Sequence, residues 1–239
     1  MTQFQNYDDS LMPMNQDVAV AQQRFITKVF GWMAIGLGIT AVVALAIASS
    51  HSAMQYIAAN RGIWIGLMIA QFVVVLGLAA GINRISAGTA TLMFLFYSAL
   101  TGATFSVLFM VFTRQSLFTT FITAAAMFGA MALFGHITKR DLTSMGHFAM
   151  MALIGLVIAM VVNIFMASSE LQFIISGLGV LLFMGLTAYD TQRLKYLYLV
   201  GPDGSQANQK AAISGALQLY LDFINLFLFL LQFMGQQRD

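Results

Sequence analysis

The sequence has no cysteine among its 239 residues, which excludes disulfides and thiolate metal sites. Charged residues make up 8% of the chain, against about 25% in a typical soluble domain. A chain so poor in charge cannot cover a globular surface with polar groups, and 59% of its residues are hydrophobic. The composition therefore predicts an integral membrane protein. The net charge of +2 gives no basis for a nucleic-acid partner.

Seven apolar stretches are long enough to cross a bilayer, which takes roughly 20 helical residues. Only helices and closed barrels satisfy their backbone groups in lipid, and these stretches are too long and continuous for barrel strands. The sequence therefore predicts an all-α integral membrane protein with seven transmembrane helices, which cover residues 29–49, 62–82, 88–112, 116–135, 147–167, 171–189 and 211–233. The two prolines lie outside these stretches, and six glycines are expected to let helices approach closely: Gly31, Gly36, Gly38, Gly177, Gly179 and Gly185.

The domain organisation follows from the position of these stretches. Residues 1–24 are polar and lack the features of a cleavable signal peptide, so we interpret them as a mobile tail. Residues 25–235 form the seven-helix domain, and residues 236–239 form a short C-terminal tail. An N-terminus in the cytoplasm satisfies the positive-inside rule. It places eight basic residues inside (Arg24, Lys28, Arg84, Lys139, Arg140, Arg193, Lys195 and Lys210) and three outside (Arg61, Arg114 and Arg238).

The last apolar stretch contains an aspartate, Asp222, within LQLYLDFINLFLFLL at residues 217–231. At steps of three and four residues, Asp222 shares a helix face with Ser214, Gln218, Asn225 and Gln232, and this pattern predicts a surface that lines a pathway. A carboxylate at midspan costs about 2.5–3.5 kcal/mol on insertion scales, so it needs a partner, water or a proton. A protonated Asp222 that only joins two helices is the structural alternative.

Asp190 is the best remaining acid, since the other seven lie in tails, loops or span ends. It occurs in GLTAYDTQRLK, residues 185–195, at the inner end of the sixth stretch. An ordinary helix-end acid paired with Arg193 is the alternative interpretation. By helical rise, Asp222 lies about 16 Å into its own span, so the spacing alone does not bring the two carboxyl groups together.

GLTAYDTQRLK and, about thirty residues later, LYLDFINLFLFLL together resemble the Bax inhibitor family, also called the transmembrane Bax inhibitor motif family. FYSALTGATFS at residues 96–106, KRDL at residues 139–142 and the seven stretches add to the resemblance, which is strongest to the bacterial inner-membrane branch.

The resemblance implies six helices around a central seventh, and a proton-sensitive calcium leak channel. It also implies that Asp190 and Asp222 form a hydrogen-bonded pair that senses pH and gates the pathway. Arg84 matches a basic residue that holds the closed state, although it is equally an ordinary positive-inside residue. This chain ends in GQQRD, so the charged C-terminal tail of some eukaryotic members has no counterpart here.

Two carboxylates about 4 Å apart repel by roughly 4 kcal/mol at an effective dielectric near 20, which favours one shared proton. The protonated pair bridges two helices and shuts the pathway, and the deprotonated pair separates or recruits a cation. Asp190 and Asp222 alone are too few ligands for tight calcium binding. Thr187, Asn225 and water are candidate additional ligands, and a weak site suits calcium as a permeant ion. No tightly bound cofactor is expected.

Three other classes of function were weighed. An enzyme is not expected, because no histidine lies inside an apolar stretch (His147 is the first residue of one) and the second acid lacks the GxGD context of intramembrane aspartyl proteases. A non-conducting regulator of a membrane-anchored quality-control protease is the main alternative, and it carries no ion flux when purified. A proton-coupled exchanger is the third hypothesis, and its flux requires an opposing proton gradient.

Overall fold

The computed structural model describes residues 5–197 and 202–238, with the side chains of 5–18, 58 and 61 excepted. Residues 1–4 of the predicted N-terminal tail and residue 239 of the C-terminal tail lie outside this part of the chain. The described residues form nine helices: α1 (Gln5–Ser49), α2 (His51–Ala59), α3 (Arg61–Gly81), α4 (Ala87–Phe105), α5 (Leu108–Val111), α6 (Arg114–Ile137), α7 (Thr143–Met166), α8 (Ser169–Leu197) and α9 (Gln206–Met234).

The predicted all-α class with seven membrane spans is confirmed. Within the described part of the chain, seven segments are long and apolar enough to cross a bilayer, namely Ala19–Ser49, Gly62–Gly81, Ala87–Val111, Arg114–Ile137, Thr143–Met166, Ser169–Leu197 and Gln206–Met234. Several of these helices follow a capping residue whose side-chain hydroxyl accepts a hydrogen bond from a backbone N–H of the first turn. Ser86 caps α4, Thr113 caps α6 and Ser205 caps α9.

The helices differ from the predicted stretches mainly at their ends. Residues 5–24, which the sequence suggested as an irregular tail, continue α1 as helix. The third stretch is not one helix, because α4 ends at Phe105 and a turn precedes the short α5. The sixth helix runs on to Leu197, seven residues beyond Asp190. Asp190 therefore lies about two turns before the last described residue of α8, and its place at the inner end of the membrane span stays a prediction.

The seventh span, α9, is the most enclosed helix of the bundle. In its most apolar window 72% of the residues are buried, against 6–44% in the other spans. It packs against α1, α4, α6 and α8. Tyr220 is completely buried, and its hydroxyl lies 2.7 Å from Thr40 Oγ1 of α1, which also donates to the Ser98 carbonyl of α4. The arrangement of six helices around this one stays a prediction.

Hydrogen bonds between distant segments define one end of the bundle. Gln22 Nε2 donates to the Lys195 carbonyl at 2.8 Å, and Lys210 Nζ donates to the Asn83 carbonyl at 3.3 Å. Gln192 Nε2 donates to the Arg140 carbonyl at 2.7 Å. The segments that carry most of the basic residues therefore meet at one end, as the positive-inside pattern requires.

At the opposite end the C-terminal segment folds back over the loop between α5 and α6. Phe112 and Gln237 form an isolated antiparallel bridge, and Arg238 Nη1 donates to the Phe109 carbonyl at 2.8 Å. Gln172 Nε2 also donates to Gln232 Oε1 at 2.6 Å and ties α8 to α9 there. This end therefore carries Arg114 and Arg238 and few other charges.

Candidate functional site

Two acidic side chains meet in the interior between α8 and α9. Asp190 is 5% exposed and Asp222 is 1% exposed. Their carboxyl groups are neighbours across the α8–α9 interface. Gln218, one turn before Asp222 on α9, donates from Nε2 to Asp190 Oδ2 at 3.1 Å. The structure therefore brings together the two acids that the sequence singled out.

The antiparallel register of α8 and α9 explains why the two aspartates meet. Phe183 and Phe229 stack across the same two helices with ring centroids 5.7 Å apart. Phe183 precedes Asp190 by seven residues and Phe229 follows Asp222 by seven, so both pairs lie on the same faces two turns apart. Gly179 lets the Phe229 ring approach, since a Cβ there would lie 2.5 Å from the ring. Aromatic packing thus sets the register that aligns the acids.

The contact between the carboxyl groups has a chemical requirement. An ionised carboxylate only accepts hydrogen bonds, so two carboxyl groups can bond to each other only if one carries a proton. Asp222 Oδ2 is buried and has no hydrogen-bond partner among the described residues. The geometry therefore suits a pair with one shared proton, with Gln218 donating to the Asp190 side of it.

The basic residues near the pair differ from the expected arrangement. Arg193, one turn after Asp190, acts on that carboxyl group through its charge and not through a hydrogen bond. Arg84 is exposed in the turn after α3, where its backbone N–H donates to the Gly81 carbonyl. No described contact joins Arg84 to either aspartate, so its role in the closed state stays a prediction.

The predicted pathway-lining residues occupy different environments. Ser214 and Gln218 are exposed on α9, and Asn225 is half-buried with its Nδ2 donating to the Leu221 carbonyl at 2.8 Å. Thr187 is buried one turn before Asp190, and its hydroxyl donates to the Phe183 carbonyl at 2.7 Å. The predicted stripe is thus mixed: Ser214, Gln218 and Gln232 are exposed, whereas Asp222 is buried against α8.

The donor set at the pair is small for a metal site. Among the described residues no group of three or more histidine, cysteine, aspartate or glutamate side chains comes together. The two carboxyl groups with the side-chain amide of Gln218 form a small oxygen-containing donor set, which binds a hard cation only weakly. These residues fit a transient calcium contact and not a tight one.

Gln192 is a site neighbour that sequence reasoning missed. It lies on α8 two residues after Asp190, accepts from the Leu142 N–H at 2.9 Å and donates to the Arg140 carbonyl. It therefore ties the loop between α6 and α7 to the helix that carries Asp190. The sequence signal for Gln192 was its position beside Asp190 in AYDTQR. That position does not reveal a hydrogen-bond partner fifty residues away.

Comparison with known proteins gives a consistent assignment. A sequence model of the family described as "Inhibitor of apoptosis-promoting Bax1" matches residues 22–239. The chain is 48% identical to Inner membrane protein YbhL of Escherichia coli over 217 residues, which cover 90% of this chain and 93% of YbhL. It is 45% identical to an uncharacterized protein of Deinococcus radiodurans over 231 residues, covering 94% and 98%. The chain is therefore a multi-pass membrane protein that belongs to the Bax inhibitor family.

Proposed function

We propose that this protein is a pH-sensitive calcium leak channel in which the Asp190–Asp222 pair shares a proton and controls the pathway. The observation that carries the proposal is the contact between two carboxyl groups buried at the α8–α9 interface. Two anions about 4 Å apart repel by roughly 4 kcal/mol at an effective dielectric near 20. The contact is therefore stable while the pair holds a proton and unstable when both acids are ionised.

Gating follows from that difference. The shared proton bridges α8 and α9 and favours a shut pathway, whereas loss of the proton separates the helices. The flux therefore rises as the pH rises. Gln218 supports this mechanism, because its side chain is exposed and also donates to Asp190. Gln218 therefore links the buried pair to the exposed face of α9, on which Ser214 also lies.

Calcium is the proposed permeant ion, and the few ligands available at its site bind it weakly. Two carboxylates attract a hard cation once they are ionised, but calcium prefers six to eight oxygen ligands. Thr187, Asn225, backbone carbonyls and water complete the coordination only briefly, which allows release. Calcium and protons are thus the ligands of the site, and no catalytic activity or tightly bound cofactor is proposed.

The proposed location is a bacterial inner membrane with the N-terminus in the cytoplasm. The Escherichia coli relative is named as an inner membrane protein. The gathering of the Lys195, Lys210 and Arg140 segments at one end supports the orientation, because basic ends face the cytoplasm.

Calcium entry into liposomes that contain the purified protein tests the proposal across pH 5 to 8. We expect the wild type to leak more at high pH and Asp222→Asn to lose that pH dependence, because the pair then cannot share a proton. Asp141→Asn is the control: Asp141 is exposed outside the spans, and hydrogen bonds from the Thr143 hydroxyl and N–H hold its pKa below its ordinary value. It should keep the wild-type profile.

Absence of flux at every pH would reject the channel. The alternative function, a non-conducting regulator of a membrane-anchored quality-control protease, would then be favoured, with the aspartate pair as a helix-to-helix bond. A flux that requires an opposing proton gradient would instead favour a proton-coupled exchanger. A leak that persists without a proton gradient supports the proposed channel over both.

A further inference from the structure

A crevice between α1 and α6 is distinct from the aspartate pair. It encloses about 630 Å³ and is lined mainly by aliphatic and aromatic side chains of α1, α6 and α9, with Arg114 at one end. This volume is within the range of about 300–1,000 Å³ that small-molecule sites have. Leu45 of α1 and Phe118 of α6 are 55% and 65% exposed, so the crevice opens to the side of the bundle. Its mouth therefore faces lipid.

The depth of the crevice matches one half of a bilayer. It runs from Ser49 and Arg114, at the ends of their spans, to Thr40 and Phe223 in the interior. Ser49 and Thr40 are nine residues apart on α1, which is about 14 Å of helix. The hydrocarbon core is about 30 Å thick, so an acyl chain of one leaflet is about this long. A phospholipid chain fits the crevice from end to end.

The positive charge at the mouth of the crevice is complementary to the phosphate group of such a lipid. Arg114 is exposed at the first residue of α6, and a guanidinium binds phosphate oxygens in a bidentate fashion. Arg238 lies at the same end, where its Nη1 donates to the carbonyl of Phe109, another lining residue. Among the described residues, no aspartate or glutamate lines the crevice. The polar end of the crevice thus carries positive charge and its remainder is apolar.

We propose that the crevice between α1 and α6 binds a single phospholipid, with one acyl chain between the helices and its phosphate at Arg114. The bound chain contacts Phe223 on α9, the residue after Asp222. This lipid site stands apart from the proposed calcium flux, since its residues include neither aspartate.

Native mass spectrometry of the purified full-length protein tests the phosphate contact with two probes of the same acyl chains. We expect palmitoyl-oleoyl phosphatidylglycerol to be retained and palmitoyl-oleoyl glycerol, which lacks the phosphate, to be lost. Arg114→Gln should weaken retention of the phospholipid about tenfold, as expected for loss of one charged hydrogen-bonding group. Arg140→Gln, the same change at the opposite end of the bundle, should bind like the wild type.

Crosslinking locates the acyl chain. A phospholipid with a diazirine at the chain end should label the wild type near Thr40 and Phe223, the deep end of the crevice. Ala41→Phe, which fills the crevice from an exposed wall position, should abolish that labelling. Ala79→Phe, at an exposed position of α3, should not. Equal retention of both probes, or labelling spread evenly over the lipid-facing surface, would show ordinary surrounding lipid and overturn the proposal.

Discussion

At the scale of the residue, the closest contacts of the bundle depend on glycine. Gly135 of α6 faces the backbone of α8, where a Cβ would lie 2.1 Å from the Ala188 carbonyl oxygen. That distance is shorter than any real contact, and backbone atoms cannot move aside like the end of a side chain. Ala188 is also two residues before Asp190, so this approach holds the segment that carries the pair.

Gly135→Ala should therefore destabilise the protein by about 1–3 kcal/mol, as overpacking of a close contact does. Thermal unfolding in detergent, followed by intrinsic tryptophan fluorescence, measures this loss. Gly129→Ala on the same helix is the matched control, because nothing lies within 4 Å of a Cβ there. It should be neutral or stabilising by up to about 1 kcal/mol, since alanine favours the helix. Equal melting temperatures for the two variants would contradict the packing described here.

Which glycines matter was only partly predictable. Gly36, Gly177 and Gly179 do face aromatic side chains of other helices, as expected from the sequence. Gly31, Gly38 and Gly185 were predicted to allow close approach as well, and a Cβ at each would meet nothing within 4 Å. The sequence identifies glycine but not the helix face that meets a neighbour. Gly135 was missed for that reason.

At the scale of the element, hydropathy located the seven spans but not their ends. A hydropathy pattern reports the residues that cross hydrocarbon, whereas a helix continues into the polar region as long as its backbone bonds are internal. This is why α8 extends past Asp190 through polar residues to Leu197, and α9 begins at Gln206. Asp190 and Asp222 meet within these longer helices and not at their ends. Their meeting was expected from family resemblance and not from spacing.

The stability of the first turn of α7 is expected to depend on pH. Hydrogen bonds from the Thr143 hydroxyl and N–H lower the pKa of Asp141, because they favour the ionised carboxylate. A lowered pKa in the folded state stabilises the helix start above the ordinary aspartate pKa of about 3.9. This stabilisation is lost as the pH falls through the lowered value.

Hydrogen exchange at the first turn of α7 checks this dependence. Asp141→Ala should speed exchange of the amides that follow Thr143 at pH 6, relative to the wild type. The difference should shrink as the pH falls below the ordinary aspartate pKa of about 3.9 and through the lowered value, because the wild-type carboxylate then becomes protonated. An effect of the same size at all pH values would show that the charge of Asp141 has no part in capping α7.

At the scale of the whole molecule, the two ends of the bundle differ in charge, and this difference predicts an orientation. The absence of cysteine allows a labelling experiment without background. Ser144 is exposed at the start of α7 and Ser169 is exposed at the start of α8, so the two serines lie at opposite ends of the bundle. In intact bacterial cells, a membrane-impermeant thiol reagent should label Ser169→Cys on the outer side and leave Ser144→Cys unlabelled until the cells are opened. The reverse pattern would contradict an N-terminus in the cytoplasm.

In the proposed channel, one proton shared by Asp190 and Asp222 controls calcium flux through the molecule. Infrared spectroscopy of the reconstituted protein follows this proton directly, because a protonated carboxyl group has its own carbonyl stretch. The band should disappear as the pH rises and be absent or altered in Asp222→Asn. Calcium flux measured in the same proteoliposomes should increase with the same midpoint. A flux that stays constant while the band titrates would contradict proton control of the pathway.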